Sequence, residues 1–159
     1  MLRAFACLMI VVAVPVAAAG RIVFAGPAWA AIDRGASCAA VGRSELIAPR
    51  GSEQARASVG FDRQRPGRRG EVHFRLSRPA GGGAQAMLTV GSEQFLLLTR
   101  GADAWSRDPA QDQAIIAAIR RAGDMRVAFR DPAVRRHTDR YLLGGAPTAI
   151  DAAAAACAR

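Results

Sequence analysis

The sequence contains no lysine, and all 22 of its basic residues are arginines. It is also poor in aromatic side chains, which make up 6% of its 159 residues although 51% of the residues are hydrophobic. Alanine supplies much of the apolar content, which is typical of one compact domain with a core of small side chains. This composition excludes collagen-like, coiled-coil and mostly disordered proteins, and the length does not suit a two-domain enzyme.

Long hydrophobic runs are absent except at the N-terminus. Residues 1–3 give a short positive start, and residues 4–20 carry no charge, which is the pattern of a secretory signal peptide. The segment is short for a membrane span and contains Pro15, so we expect export. The alternative is an uncleaved anchor that would hold an envelope structural protein at the membrane.

Two small-x-small sites can end this signal, Ala17-Ala18-Ala19 and Ala28-Trp29-Ala30. Pro27 stands just before the second site and would break the signal helix there. We therefore expect cleavage at the second site, which gives a signal peptide over residues 1–30 and a single domain over residues 31–159.

The cysteines also indicate an oxidising compartment. Cys7 leaves with the signal, so Cys38 and Cys157 remain. We expect this pair to form a disulfide that joins the two ends of the domain. Two thiols without a neighbouring histidine do not complete a tetrahedral zinc site, so we predict no metal and no cofactor.

Polar and apolar residues alternate along much of the chain with the period of two that indicates half-buried strands. Val72, Phe74 and Leu76 share one face of such a strand. Further strands are predicted over residues 45–48, 57–61, 87–90, 95–98, 125–129 and 138–143. Gly91-Ser92 separates two of them and suits a tight hairpin turn.

One helix is marked at both ends. Asp108 can cap it, Pro109 suits its first position, and Gln111 completes a pattern like a capping box. Gly123 stands where a left-handed C-cap is expected, so we predict a helix over about 109–122.

A second, short helix is predicted over the alanine-rich residues 147–156. The predicted fold is therefore β-rich, either all-β and sandwich-like or α+β. It has an antiparallel sheet, one well-capped helix and a short C-terminal helix.

Several segments downstream of the signal form a recognisable series. They are Ser37-Cys38-Ala39-Ala40-Val41, Val59-Gly60-Phe61, Phe95-Leu96-Leu97-Leu98, Gly101-Ala102-Asp103-Ala104-Trp105, residues 115–120, Met125-Arg126-Val127 and residues 138–144. In them the chain resembles the invasion-associated locus B family of exported bacterial proteins. The resemblance implies a β-rich fold, a periplasmic or secreted location in a Gram-negative bacterium, and an association with host-cell invasion. It implies no known catalytic residues. The chain departs from the family at Ala39-Ala40 and Gly145-Ala146, where members have aromatic residues.

The sequence contains two histidines, His73 and His137, which are the candidates for acid–base chemistry. His73 lies on the polar side of its strand, where we expect it to be solvated. His137 and Asp139 are two residues apart and share a strand face, so they form the basis of an alternative function, a hydrolase. No Gly-x-Ser-x-Gly motif accompanies them, and both cysteines of the mature chain are expected to be bonded, so we predict that the protein is not an enzyme.

The distribution of arginine carries the functional prediction. Arg75, Arg126 and Arg130 occupy polar positions of two predicted strands, and they form one cationic face if those strands are neighbours. Such a face would bind carboxylate or phosphate groups of a polymer, lipid A or a partner protein. The alternative is a solvated surface with scattered ion pairs. A further arginine cluster consists of Arg135, Arg136 and Arg140.

We therefore expect an exported, non-catalytic envelope or secreted protein that recognises an anionic envelope component or a protein partner. Nucleic acid is not an expected partner, because export separates the protein from it and the sequence has no RNA- or DNA-binding signature. Stable membrane insertion is not expected once the signal is cleaved.

Overall fold

The computed structural model describes residues 20–65 and 70–159, and these residues form ten strands and two helices. The strands are β1 (Arg21–Ala25), β2 (Trp29–Asp33), β3 (Ser37–Arg43), β4 (Arg56–Asp62), β5 (Glu71–Arg75), β6 (Ala86–Val90), β7 (Glu93–Arg100), β8 (Asp103–Trp105), β9 (Asp124–Arg130) and β10 (Arg136–Leu142). The helices are α1 (Pro109–Ile119) and α2 (Ala146–Cys157). The strands join in the order β1-β2-β3-β4-β5-β8-β7-β6-β9-β10, and every pair is antiparallel. The predicted β-rich antiparallel fold is confirmed.

The sheet folds over on itself like a sandwich, so strands far apart in its order face each other. The rings of Phe74 on β5 and Tyr141 on β10 lie 6.0 Å apart between centroids. The indole Nε1 of Trp29 on β2 donates a hydrogen bond of 2.9 Å to the carbonyl oxygen of Leu142 at the end of β10. The inner faces of the sheet therefore form a common core with the two helices.

Helix α1 begins as predicted. The carboxylate of Asp108 accepts a hydrogen bond from the backbone N–H of Gln111 at 2.7 Å, and the side chain of Gln111 accepts one from the N–H of Arg107 at 2.8 Å. This reciprocal arrangement satisfies two N–H groups at the start of the helix. The helix ends at Ile119, before the predicted residue 122. Gly123 is not a left-handed cap, because the chain passes there directly into the extended strand β9.

Helix α2 confirms the predicted C-terminal helix, with one further residue at each end. Gly145 precedes it at φ 84°, a conformation that favours glycine. An added Cβ would lie 3.1 Å from Cδ of Pro27, so the position is also crowded. Ala149, Ile150 and Ala153 are buried against the sheet. The helix brings Cys157 to β3, and the predicted disulfide with Cys38 is confirmed, with 5.7 Å between the Cα atoms.

The predicted strand over residues 45–48 is wrong. Residues 44–55 form a loop between β3 and β4, and the side chain of Gln54 organises it. Its Oε1 accepts a hydrogen bond from the N–H of Ala48 at 2.9 Å, and its Nε2 donates to the carbonyl of Leu46 at 2.9 Å. The side chain of Gln54 thus satisfies backbone groups of this loop that would pair with a neighbouring strand if the segment were part of the sheet. The predicted hairpin of β6 and β7 is present, and its turn residue Gly91 has φ 56°.

The segment predicted to be a signal is only partly described. Residues 1–19 and residues 66–69 lie outside the described residues. Residues 20–30 lie within the fold: β1 pairs with β2, and β2 pairs with β3. Trp29 is only 2% exposed. In the described part of the chain, neither helix has the length and apolar character needed to cross a membrane.

Candidate functional site

The outer face of β9 and β10 presents four arginines in two opposed pairs. Along β9, Met125, Val127 and Phe129 are buried, so Arg126 and Arg130 point outward. The members of this group, which we call the arginine face, are Arg126, Arg130, Arg136 and Arg140. The strand register sets Arg126 opposite Arg140 and Arg130 opposite Arg136. Like charges directly across an antiparallel pair repel each other, so this arrangement costs free energy.

Few groups of the described chain compensate these charges. Arg130 donates to the carbonyl oxygen of Val134 at 3.0 Å, and none of the four arginines forms an ion pair with a described acidic residue. Asp124 lies on the same face, two residues before Arg126, but it too has no ion pair within the described residues. The face is therefore a local excess of positive charge.

One other pair of opposed arginines in the sheet has a bridging carboxylate, although Arg43 on β3, which also lies opposite Arg56, forms no ion pair with a described acidic residue. Arg56 on β4 lies opposite Arg75 on β5. The carboxylate of Glu53 accepts hydrogen bonds from both, at 2.8 Å from Arg56 and 2.7 Å from Arg75. These bonds, first the one from Arg75, lower the pKa of the Glu53 carboxyl. The arginine face differs from this pair because no described carboxylate bridges it.

Arg75 does not belong to the arginine face. Strands β8, β7 and β6 separate β5 from β9, so the condition that the two strands be neighbours is not met. Arg75 is also engaged, since it donates to Asp103 at 2.8 Å as well as to Glu53. These carboxylates raise the pKa of its guanidinium, Glu53 most strongly. The same Asp103 lies 3.0 Å from Nε2 of His73, so His73 is part of this ion-pair network.

The neighbouring strands continue the same face with apolar side chains. Met87 on β6 lies opposite Leu96 on β7 on one side and Ala128 on β9 on the other. Leu96 is 45% exposed, and Leu98, two residues further on the same side of β7, is 41% exposed. These residues, Met87, Leu96, Leu98 and Ala128, form what we call the apolar row.

A shallow cavity of about 640 Å³ lies where the apolar row meets the arginine face. Its lining includes Met87, Leu96 and Ala128 from the apolar row and Arg130 and Arg136 from the arginine face. The surface thus combines cationic donors with exposed apolar side chains over four adjacent strands.

A second cavity, of about 440 Å³, contains the residues of the hydrolase hypothesis. His137 and Asp139 both line it, as expected for a pair that shares one side of a strand. They do not form a pair, however: Asp139 accepts a hydrogen bond from the N–H of Ser77 at 2.9 Å, while Nε2 of His137 lies 2.9 Å from the carboxylate of Asp131. Asp131, and not Asp139, is therefore the carboxylate that contacts His137.

Asp131 is the more strongly bound of these carboxylates. It is 4% exposed, and it accepts hydrogen bonds from the side chain of Arg135 at 2.9 Å and from its backbone N–H at 3.0 Å. The hydrogen bond to His137, followed by those from Arg135, holds the pKa of the Asp131 carboxyl well below its usual range. Asp131 can thus orient the imidazole of His137.

The same cavity supplies no activated nucleophile among the described residues. Ser44 lines it, but its hydroxyl donates to the carbonyl oxygen of Leu46 at 3.0 Å and accepts from Gln54 at 2.8 Å. A serine nucleophile needs a hydrogen bond to its base, and none joins a described serine to His137. The arrangement positions an imidazole without completing a catalytic triad.

The described part of the core contains one buried side-chain polar atom without a hydrogen-bond partner. The hydroxyl of Tyr141 is fully buried and has no hydrogen-bond partner among the described residues. Burial raises the pKa of this hydroxyl, and the negative charge of nearby Asp139 adds to the effect. Tyr141 therefore remains neutral and acts in packing against Phe74.

The described residues contain no group of three or more histidine, cysteine, aspartate or glutamate side chains that could hold a metal ion.

Comparison with known proteins gives no relative: no family model, curated protein or solved structure matches this chain.

Sequence reasoning identified Arg126 and Arg130 but separated them from Arg136 and Arg140. The alternation of polar and apolar residues in both segments indicates two consecutive strands with arginines on their polar faces. Such arginines lie opposite each other when the two strands form a hairpin. The pairing of Arg126 with Arg140 follows from the register of that hairpin, which a five-residue connection leaves open.

Proposed function

We propose that this is an exported, non-catalytic protein that recognises an anionic partner through the arginine face. The observation that carries the proposal is the pair of like-charge contacts, Arg126 with Arg140 and Arg130 with Arg136, without a bridging carboxylate. Such pairs destabilise the free protein, and a bound phosphate or carboxylate would relieve the repulsion. Arginine suits this role because its planar donor groups match the oxygens of these anions.

Export is supported by the Cys38–Cys157 disulfide and by the uncharged N-terminal segment. The packing of residues 20–30 favours a leader that ends at Ala19, the earlier of the two predicted sites. Cleavage after Ala30 would divide β2 and remove the buried indole of Trp29 from the core. We therefore place the mature N-terminus at Gly20.

The family proposal rests on the segments that resemble the invasion-associated locus B proteins. We propose that the chain is a divergent member with a periplasmic or secreted location. The β-rich fold that the resemblance implies is observed, and the Cys38–Cys157 disulfide is compatible with this assignment. The absence of a nucleophile bonded to His137 in the described chain supports a binding role over the hydrolase alternative.

The test is binding of inorganic polyphosphate, a soluble polyanion, by the purified disulfide-bonded protein. A double variant, Arg126→Gln/Arg140→Gln, removes one opposed pair, and Arg34→Gln/Arg50→Gln is the matched control. Arg34 and Arg50 are exposed, lie outside the strands and form no ion pair among the described residues. We expect affinity to fall with increasing salt and to fall roughly tenfold in the first variant only. Equal losses in both variants would show nonspecific attraction and contradict the proposal.

A further inference from the structure

The arginine face lies beside exposed apolar side chains, which binding of a soluble polyanion would not require. Across strands β7, β6 and β9, the apolar row sets Leu96, Met87 and Ala128 side by side. On β9, Ala128 lies between Arg126 and Arg130. The apolar row therefore reaches β9 between the two opposed arginine pairs, Arg126 with Arg140 and Arg130 with Arg136.

We propose that the anionic partner is a lipid surface, bound flat against this side of the sheet. The proposal rests on the proposed function, since it assigns a chemical class to the partner of the arginine face. Anionic headgroups would accept hydrogen bonds from Arg126, Arg130, Arg136 and Arg140. The exposed side chains of Leu96 and Leu98 would enter the boundary between headgroups and acyl chains.

Charge complementarity is the first argument for this partner. The four arginines share one outer face, and Asp124 is the acidic residue of β9 on that face. Anionic lipid headgroups form an extended negative surface that attracts clustered basic residues. Several arginines can therefore be compensated at once, which one small anion could not do.

The exposed leucines are the second argument. Leu96 and Leu98 lie on the outer side of β7 at 45% and 41% exposure, where water contact is unfavourable. The cavity of about 640 Å³ beside Leu96 is lined by Met87, Leu96 and Ala128 together with Gln85, Arg130 and Arg136. This combination of apolar and cationic lining suits a lipid molecule, whose charged and apolar parts are adjacent.

The experiment measures flotation of the mature, disulfide-bonded protein with two kinds of vesicle. One contains phosphatidylcholine alone, and the other contains phosphatidylcholine with phosphatidylglycerol. Polyphosphate and a soluble polyglutamate peptide are tested in parallel as nonlipid anions. The variants are Arg126→Gln/Arg140→Gln, Leu96→Gln/Leu98→Gln and the control Arg34→Gln/Arg50→Gln. Circular dichroism and intact mass establish that each variant is folded and oxidised.

We expect the protein to float with the anionic vesicles only. The arginine variant should lose roughly tenfold or more in vesicle affinity, and the leucine variant should lose a similar factor. The leucine variant should bind polyphosphate as the unchanged protein does, because that ligand has no apolar part. The control should retain most of its vesicle binding.

Three results would overturn the lipid assignment. Binding of polyphosphate through the arginine face without vesicle binding would leave the proposed function intact and exclude a lipid partner. Tighter binding of polyglutamate than of anionic vesicles would point to an acidic protein segment instead. Unchanged vesicle binding in the folded leucine variant would show that the apolar row takes no part. Failure to bind any of these anions would contradict the proposed function itself.

Discussion

Trp29 on β2 and Leu142 on β10, which are far apart in the strand order, are joined by one hydrogen bond of 2.9 Å between the indole N–H and a backbone carbonyl. The residues are 113 positions apart, and Trp29 also lies opposite Gly42 in the next strand. A Cβ on Gly42 would lie 2.5 Å from the indole ring, so glycine provides the space that the tryptophan occupies. This contact makes β2 part of the folded domain.

The mature protein should therefore begin at Gly20. Intact mass of protein recovered after export should correspond to residues 20–159, and the two thiols should accept alkyl groups only after reduction. The physical reason is that β1 and β2 are paired in the sheet and Trp29 is buried. A folded product beginning at Ala31 would contradict this prediction, and a full-length product with free thiols would favour the anchored alternative.

Replacing Trp29 with phenylalanine should lower the free energy of unfolding by about 1–3 kcal/mol. The variant keeps an aromatic ring but leaves the carbonyl of Leu142 without its donor in a partly buried site. Trp105→Phe is a suitable control, because Trp105 is half-buried and its indole has no hydrogen bond to the described residues. Urea denaturation of both variants measures the difference, and equal losses would show that the hydrogen bond is unimportant.

Asp131 should make the fold sensitive to acid. Its pKa in the folded protein is depressed below the ordinary value of 3.8, chiefly by the bond to His137, so the unfolded chain takes up a proton first as pH falls. The stabilisation is complete above the unfolded pKa and is lost as pH decreases through the lower folded value. The unfolding free energy of the unchanged protein should decrease on acidification below about pH 4, and more steeply than that of Asp131→Asn.

The measurement for this prediction is denaturant unfolding of both proteins over a series of acidic pH values. Asp131→Asn loses the charge but keeps a side chain of similar shape. Its stability at neutral pH is expected to be lower, and the informative quantity is the slope with pH. Parallel curves for the two proteins would show that Asp131 does not contribute to the acid response.

Arg126→Glu should stabilise the isolated protein although it damages the proposed site. The substitution converts a repulsive cross-strand pair with Arg140 into an attractive one, and we expect a gain of about 0.2–1 kcal/mol in unfolding free energy. The gain should shrink as salt is added. Arg34→Glu, at an exposed position outside the paired strands, is the control. A destabilised Arg126→Glu would indicate that the opposed arginines are already compensated.

The local parts of the structure were predictable from sequence, and the distant contacts were not. Asp108, Pro109 and Gln111 defined the start of α1 because capping depends on adjacent residues. The alternation of Met125, Val127 and Phe129 likewise identified β9. Both signals are contained in a few consecutive positions.

Expectation and structure differ where partners lie far apart in the chain or where one pattern suits two structures. The predicted signal over residues 1–30 includes β1 and the start of β2, because apolar residues with few charges suit both a leader and a buried strand. The alternation of polar residues groups Arg75 with Arg126. It does not show that the charge of Arg75 is compensated by Glu53, which lies in a loop 22 positions away. The order of strands, which separates the two arginines, is a property of the whole sheet.

The hydrogen bond between Trp29 and Leu142 and the disulfide between Cys38 and Cys157 also affect the order in which the chain can fold. They join residues 113 and 119 positions apart, so neither half of the chain can complete its core alone. Contacts between distant residues slow folding, because a long loop must close before they form. The core is therefore complete only when helix α2, the last element of the described chain, has been made. Such a dependence would suit the export proposed above, in which the chain folds after it has crossed a membrane.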